Sequence, residues 1–153
     1  MKVYTLLQTQ RIPRPIGEVF DFFSDASNLD LLTPAWLHFE IRTPTPIEMR
    51  IGTQIAYTIR WYGVPISWLT EIIDWQPGRQ FVDTQVRGPY RLWHHTHRFE
   101  ADGGETVMED MVRYALPLGL IGRIAHAMVV QRDIRTIFEF RAEKIRGLMG
   151  SQS

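Results

Sequence analysis

The run Trp93-His94-His95-Thr96-His97-Arg98-Phe99 holds three of the chain's five histidines within four residues. Imidazole changes charge near neutral pH, so such a cluster can move protons, hold a hydroxyl or carbonyl, or ligate a metal. The composition is that of a β-strand, along which side chains alternate faces. Trp93, His95, His97 and Phe99 then share one face, and Leu92, His94, Thr96 and Arg98 share the other. A face with two aromatics flanking two imidazoles is apolar enough to be buried and polar enough to need partners. That combination suits the wall of a ligand cavity. His94, on the opposite face, reads as a surface residue.

The partner is expected from the next strand. Asp102-Gly103-Gly104 is a strong hairpin signal. With Gly103-Gly104 central in the turn, His97 faces Asp110, His95 faces Val112 and Trp93 faces Tyr114. With Asp102-Gly103 central, His95 faces Asp110 instead. Either two-residue turn puts Asp110 on the histidine face, whereas a three-residue loop substitutes Glu109. A carboxylate beside an imidazole fixes its tautomer and raises its pKa. His95, His97 and Asp110 are therefore the candidates for acid/base work, against the alternative of a buried network that only joins two strands. The His95-x-His97 spacing also aims two imidazoles one way, with Asp110 as a possible third metal ligand. The neighbouring aromatics and the absence of cysteine fit a hydrophobic pocket equally well, and no metal is assigned.

The elements that must position these residues follow in order. Residues 3–11 are β-prone, and Pro13 and Pro15 end that strand. Pro15 suits a helix start, with Val19, Phe20, Phe22 and Phe23 forming a short apolar helix. A second short helix is expected through Leu29, Leu31 and Leu32, closed by Thr33-Pro34. Strands are then expected at 39–42, 53–62, 66–75 and 80–87, followed by the histidine strand and residues 105–116. Residues 120–149 form the one long helix. Its apolar stripe runs through Leu120, Ile124, Ala127, Ile134, Phe138 and Ile145, with Asp133 on the polar side. Arg141 falls at the edge of the stripe, either as a cavity-mouth cation or, by default, as an arginine whose stem snorkels to solvent. Short turns imply antiparallel pairing. The pattern predicts an α+β fold in which a seven-stranded antiparallel sheet curls around the C-terminal helix and leaves a cavity between them.

At 153 residues, 44% hydrophobic and 12% aromatic, the chain reads as one domain over 1–153, large enough to bury a core. Lys+Arg and Asp+Glu both number 17, so no global basic field attracts nucleic acid or anionic lipid, and no stable membrane insertion is expected. There is no cysteine, which excludes a disulfide framework and a Cys nucleophile. No apolar run approaches the ~20 residues needed to span a bilayer, and a cytoplasmic location is the default. Gly103-Gly104 and Gly119-x-x-Gly122 lack the context of a phosphate loop, and no serine sits in a nucleophile elbow. No cofactor motif is visible.

Several motifs carry a resemblance over essentially the whole chain. They are Pro15-x-x-x-Val19-Phe20, Asn28-Leu29 with Thr33-Pro34, Gly52 before a strand reaching Tyr57, and Ile72 with Pro77. Phe81-x-Asp83, Gly88-Pro89-Tyr90, Trp93-x-His95-x-His97-x-Phe99, Thr106, Asp110, Tyr114 and Pro117 complete the set. This pattern resembles the START-like (SRPBCC) superfamily, with the helix-grip fold of the major birch-pollen allergen, in a bacterial polyketide cyclase/dehydrase-type branch. The resemblance implies two short helices between the first two strands and an internal cavity. Further wall residues expected beside the histidine strand are Tyr57, Trp61, Trp68, Asp83, Tyr114, Ile134 and Phe138. Asp83, if inward, needs Arg60, Arg91 or a histidine as partner. The leading expectation is a binding protein for a small, mostly apolar molecule such as a lipid, isoprenoid, quinone or aromatic polyketide. The runner-up is a cyclase, aromatase or dehydratase that moves protons with His95, His97 and Asp110. A protein partner is a third possibility.

Overall fold

The computed structural model describes residues 2–150. Met1 and residues 151–153, the extremes of the expected domain, lie outside the described residues. Strand β1 (Tyr4–Ile12) alternates so that Tyr4, Leu6, Gln8, Gln10 and Ile12 face inward. Helix α1 (Ile16–Phe23) follows Pro15 and buries Val19, Phe20 and Phe23. The expected second short helix takes the form of two 3₁₀ turns, Ala26–Leu29 and Ala35–Leu37, rather than an α-helix. The cause is local competition: the Ser27 amide and hydroxyl both donate to Asp25, and Asn28 Nδ2 donates to the Phe22 carbonyl. Pro34 then keeps Thr33 out of the α region.

The remaining strands are β2 (Glu40–Ile41), β3 (Gln54–Trp61), β4 (Val64–Gln76), β5 (Gln80–Arg87), β6 (Leu92–Asp102) and β7 (Glu105–Ala115). They form one seven-stranded antiparallel sheet in the order β1-β7-β6-β5-β4-β3-β2. This order gives the histidine strand β6 a neighbour on each side. The β6–β7 turn is Gly103-Gly104, with Gly103 at φ 63°, a value that favours glycine. The register is therefore His97 opposite Asp110 and Trp93 opposite Tyr114. On β4 a bulge between Ile72 and Asp74 reverses the inward parity. Ile72 and Trp75, three apart, both join the core.

Residues 119–149 cross the inner face as α2 (Gly119–Ala125), a π-helical turn (His126–Val130) and α3 (Gln131–Met149). Two inward glutamines tie this helix to β1: Gln8 Nε2 donates to the Phe138 carbonyl and Gln10 Nε2 to that of Ala142. The C-terminal half packs Ile145 and Met149 against Ile12, Phe20, Phe99 and Met108. The expected continuous stripe does not hold in the first half, where Leu120, Ile124 and Ala127 are exposed. The extra residue in the π turn rotates everything before it by about 100° relative to α3. None of the described helices is long and apolar enough to cross a membrane.

The close approach of α2 to the preceding loop gives an opposed pair of outcomes. A Cβ at Gly122 would strike the Pro117 carbonyl oxygen, whereas at Gly147 it would meet nothing within 4 Å. Gly147→Ala should stabilise by about 0.5–1 kcal/mol through helix propensity. Gly122→Ala should instead destabilise by about 1–3 kcal/mol. Urea unfolding of both variants measures the sign.

Candidate functional site

The sheet and helix enclose a cavity of about 430 Å³. Its walls are mainly aromatic and aliphatic. Tyr57 and Trp61 come from β3, Trp68 from β4, and Trp93 from β6, with Ile134 and Phe138 closing it from α3. Trp68 is the hub, stacking on Tyr57 at 5.7 Å and meeting Trp93 edge-on at 5.3 Å. Tyr90, from the β5–β6 turn, packs on both tryptophans. That turn is clamped by Gln85, which accepts from the Tyr90 amide and donates to its carbonyl.

Into this apolar wall β5 and β6 set Asp83, His95 and His97. The hydrogen bonds run diagonally across the ladder. Backbone register pairs His97 with Asp110 and Asp83 with His95. Yet His95 Nε2 bonds Asp110 Oδ1 at 2.8 Å, and His97 Nε2 bonds Asp83 Oδ2 at 2.7 Å. The two imidazoles stack with centroids 3.7 Å apart, and Phe81 stacks on His97 at 4.1 Å. Arg141 reaches down from α3, with Nη2 3.7 Å from Asp110 Oδ1. His97 Nδ1 lies 3.4 Å from the same oxygen.

Each group's ionisation follows from this geometry. Burial alone would raise the Asp110 pKa, but Arg141 and the two histidines hold it well below the usual carboxylate range. Asp83 is likewise lowered, as His97, His95 and Arg141 together outweigh burial. Burial pushes His97 down, but the bonds and charges of Asp110 and Asp83 reverse this and raise it. His95 ends lower than an ordinary histidine, because burial and the adjacent His97 prevail over its carboxylate partners. Near pH 6.5 these directions set two anions, Asp83 and Asp110, against two cations, His97 and Arg141, with His95 mainly neutral. Since ionised Asp110 can only accept, the His95 proton sits on Nε2 and leaves a lone pair on Nδ1.

Not every expected wall residue reaches the cavity. Phe99 lies in the core beneath α1, in contact with Phe20 and Phe23. Asp110 is behind the histidines, 1% exposed. Tyr114 bonds His126 Nε2 through its hydroxyl at 2.7 Å, beside the stacked ring of Tyr4. Two polar groups expected at the surface are buried instead. Arg141 lines the cavity between Phe23 and Phe138 rather than snorkelling out. Asp133 accepts from Trp61 Nε1 at 2.9 Å and from the Tyr62 hydroxyl at 3.3 Å. His94 is on the outer face but half-buried. Asp83, His95 and His97 offer one donor atom each within 4.8 Å, so Asp83 rather than Asp110 would complete a metal triad. Binding one through Nε2 would break both His–Asp bonds.

The family model for polyketide cyclase / dehydrase and lipid transport matches residues 12–140. No curated protein matches the chain. Among solved structures, a protein of Chromobacterium violaceum is similar at TM-score 0.74 and 13% identity, over 97% of this chain and 99% of that one. The Zhui aromatase/cyclase from Streptomyces sp. R1128 is similar at 0.69 and 13%, over 99% of both chains. Ara h 8.0201 is similar at 0.64 and 18%, over 96% of this chain and 97% of that one. At these identities the similarity is one of fold.

The cluster's charge pattern is directly measurable. At pH 6.5, ¹H–¹⁵N NMR should find His97 as imidazolium and His95 as the neutral Nε2–H tautomer. Asp110→Asn should lower the His97 pKa and remove about 3–5 kcal/mol of stability near neutrality, as expected for a broken buried ion pair. The carboxylates, being depressed, stabilise above pH ~4 and lose this as pH falls through their folded values. His97, being raised, stabilises fully below about pH 6.5 and loses this as pH rises through its folded value. His95, being lowered, works in the opposite sense, stabilising above about pH 6.5 and less below it. Urea titrations across pH should show the acid arm reduced in Asp110→Asn, with the share of Asp83 remaining.

Proposed function

The chain belongs to the polyketide cyclase / dehydrase and lipid transport family, and on that premise we propose that it holds a mostly apolar, carbonyl-bearing molecule in its internal cavity. The observation that carries this reading is the kind of hydrogen-bonding capacity left over in the wall. Among the described lining residues, the deeply buried N–H donors left without a partner are Trp68 Nε1 and Arg141 Nε. His97 Nδ1 has no well-aligned bond either, but it faces the Asp110 carboxylate at 3.4 Å. An apolar ligand carrying oxygen acceptors would satisfy groups that otherwise stay desolvated at a cost of about 1–3 kcal/mol each. The cluster is already neutral, so a neutral carbonyl fits it better than a carboxylate, which would bring an unmatched charge. A cavity of this size and polarity suits a molecule of two or three fused rings, or a lipid chain with a ketone or ester.

A second reading is supported by the lone pair on His95 Nδ1. Beside the cationic His97 and Arg141, that nitrogen is suited to take a proton α to a bound carbonyl while the cations stabilise the enolate oxygen. This is the chemistry a cyclase or dehydratase needs, and the Zhui aromatase/cyclase shares the fold. In this reading His95 is the base, while Asp110 behind it positions the ring.

Matched probes separate the two readings. 2-Ethylnaphthalene and 2-acetylnaphthalene should both raise the midpoint of thermal unfolding, since each binds only the folded state. The ketone should bind about five- to tenfold more tightly, the worth of one hydrogen bond. Trp68→Phe or Arg141→Met should narrow that gap. No shift from either compound would sink the ligand reading altogether. In D₂O, the enzyme reading expects deuterium to enter the acetyl methyl of the bound ketone. His95→Gln should stop this exchange but retain binding, and exchange no faster than in buffer would leave binding alone.

A further inference from the structure

Apolar side chains that belong in a core stand in solvent where the C-terminal helix begins. Leu118 is 72% exposed and Met128 70%, and Leu120, Ile121 and Ile124 are each more than half exposed. The helical members recur at i, i+1, i+4 and i+8, which forms one outward stripe. Leu118 is held at φ 70°, ψ 24°, a left-handed conformation that a leucine rarely adopts. Leu118 and Ile121 also line the cavity, so the stripe continues into its mouth. Across the mouth, the β3–β4 hairpin tip exposes Tyr62 and Val64. It is fastened to the helix where Arg132 Nη2 donates to the Tyr62 hydroxyl at 3.0 Å.

The exposed charge along this stripe is basic, since the adjoining Asp133 is buried against Arg132, Trp61 and Tyr62. Residues 116–132 contain Arg123 and Arg132 and no Asp or Glu, in a chain whose formal net charge is zero. Beside Leu120 lies a crevice lined by Lys2, Arg91 and Arg123 with Tyr4, Leu116 and Gly119. Three cations converge there and no carboxylate lines it among the described residues.

We propose that this face docks on an anionic lipid bilayer, with the leucine-isoleucine-methionine stripe at the acyl boundary and Lys2, Arg91 and Arg123 on lipid phosphates. An exposed amphipathic helix with basic flanks binds membrane surfaces in this way, and each cation near such a surface adds about 1 kcal/mol. A second copy of the chain fits less well. A two-fold interface would bring the same patch to both sides and set these cations against one another with no acid between them. The convex helix also offers no groove for a peptide. Docking here turns the cavity mouth toward the bilayer, so an apolar molecule could pass between them without crossing water. That consequence rests on the ligand reading, whereas the docking itself does not.

The test is sedimentation of the purified protein with phosphatidylcholine vesicles, with and without phosphatidylglycerol. Wild type should bind the phosphatidylglycerol vesicles and release as salt rises. Arg123→Ala should weaken binding about fivefold, the equivalent of one surface cation. Leu120→Glu combined with Met128→Glu should abolish it while the thermal midpoint stays at or above the wild-type value. Absence of binding overturns the proposal, as does binding indifferent to phosphatidylglycerol and salt, or binding retained by the double variant. A wild-type dimer that the double variant dissociates, without vesicle binding, would assign the face to self-association and equally overturn it. The naphthalene probes remain an independent check, because the double variant leaves the cavity wall intact.

Discussion

Five ionisable groups buried under one helix cannot carry a net charge, and much of this structure is arranged around that constraint. An isolated buried ion costs several kcal/mol even after relaxation. Here Asp83 and Asp110 are ionised, His97 and Arg141 balance them, and His95 remains neutral. The balance needs β6 in the middle of the sheet, because its carboxylate partners arrive from β5 and β7. It also fixes register. A slip of one residue on either neighbouring strand would turn a carboxylate to the outer face and strand an imidazolium. The final cation comes from the helix, so the polar cluster also sets where α3 lies across the sheet.

The cavity's chemistry is what remains after this internal pairing. The imidazole nitrogens facing the carboxylates are used, and Asp133 is occupied by Trp61 and Tyr62. The remaining capacity lies in N–H groups among aromatic rings. The closed end of the fold, where Phe20, Phe99 and Ile145 pack, supplies rigidity rather than binding surface. Phe99 shows the division well. It lies on the same strand face as His95 and His97, but α1 covers it before the cavity begins.

Much of this was legible in the residues because it follows from periodicity and turn chemistry. The succession of strands along the chain, the inward histidines and the Asp102-Gly103-Gly104 hairpin signal come from local rules, while the β1–β7 pairing does not. Of the alternative turns, Gly103-Gly104 sets His97 opposite Asp110. Other features depend on tertiary geometry that local patterns do not encode. Sheet twist carries each histidine to the carboxylate opposite its neighbour, so Asp83 takes His97 although it is registered with His95. Arg141 and Asp133 looked like surface charges because Asp110, which pairs with Arg141, and Trp61 and Tyr62, which bond Asp133, are remote in sequence. Tyr114 looked like cavity wall because the role of His126 depends on a helix irregularity. The run Gly119-x-x-Gly122 was a faint sign of unusual helix geometry, since Gly122 is the position that lets the helix start press on Pro117.

That irregularity connects the interior to the surface. In an unbroken α-helix, Leu120 precedes Ile134 by 14 residues and Ile124 precedes Phe138 by 14, nearly four full turns, so all four would face the sheet. Leu120 and Ile124 would then cover the end of the cavity where the mouth now is. The π turn removes them by rotation and puts His126 inward, where the Tyr114 hydroxyl bonds its ring and Tyr4 stacks on it. One inserted residue therefore does two things: it keeps the cavity open and moves its apolar cover to the rim. Exposing that cover forgoes about 1.5–3 kcal/mol for each large side chain that burial would have stabilised. The His126 contacts hold the rotated helix in place, but one hydrogen bond between neutral groups contributes only about 1 kcal/mol. The rotated form therefore sacrifices stability to keep an open cavity with an apolar rim, the arrangement that the proposed ligand and membrane contacts would require.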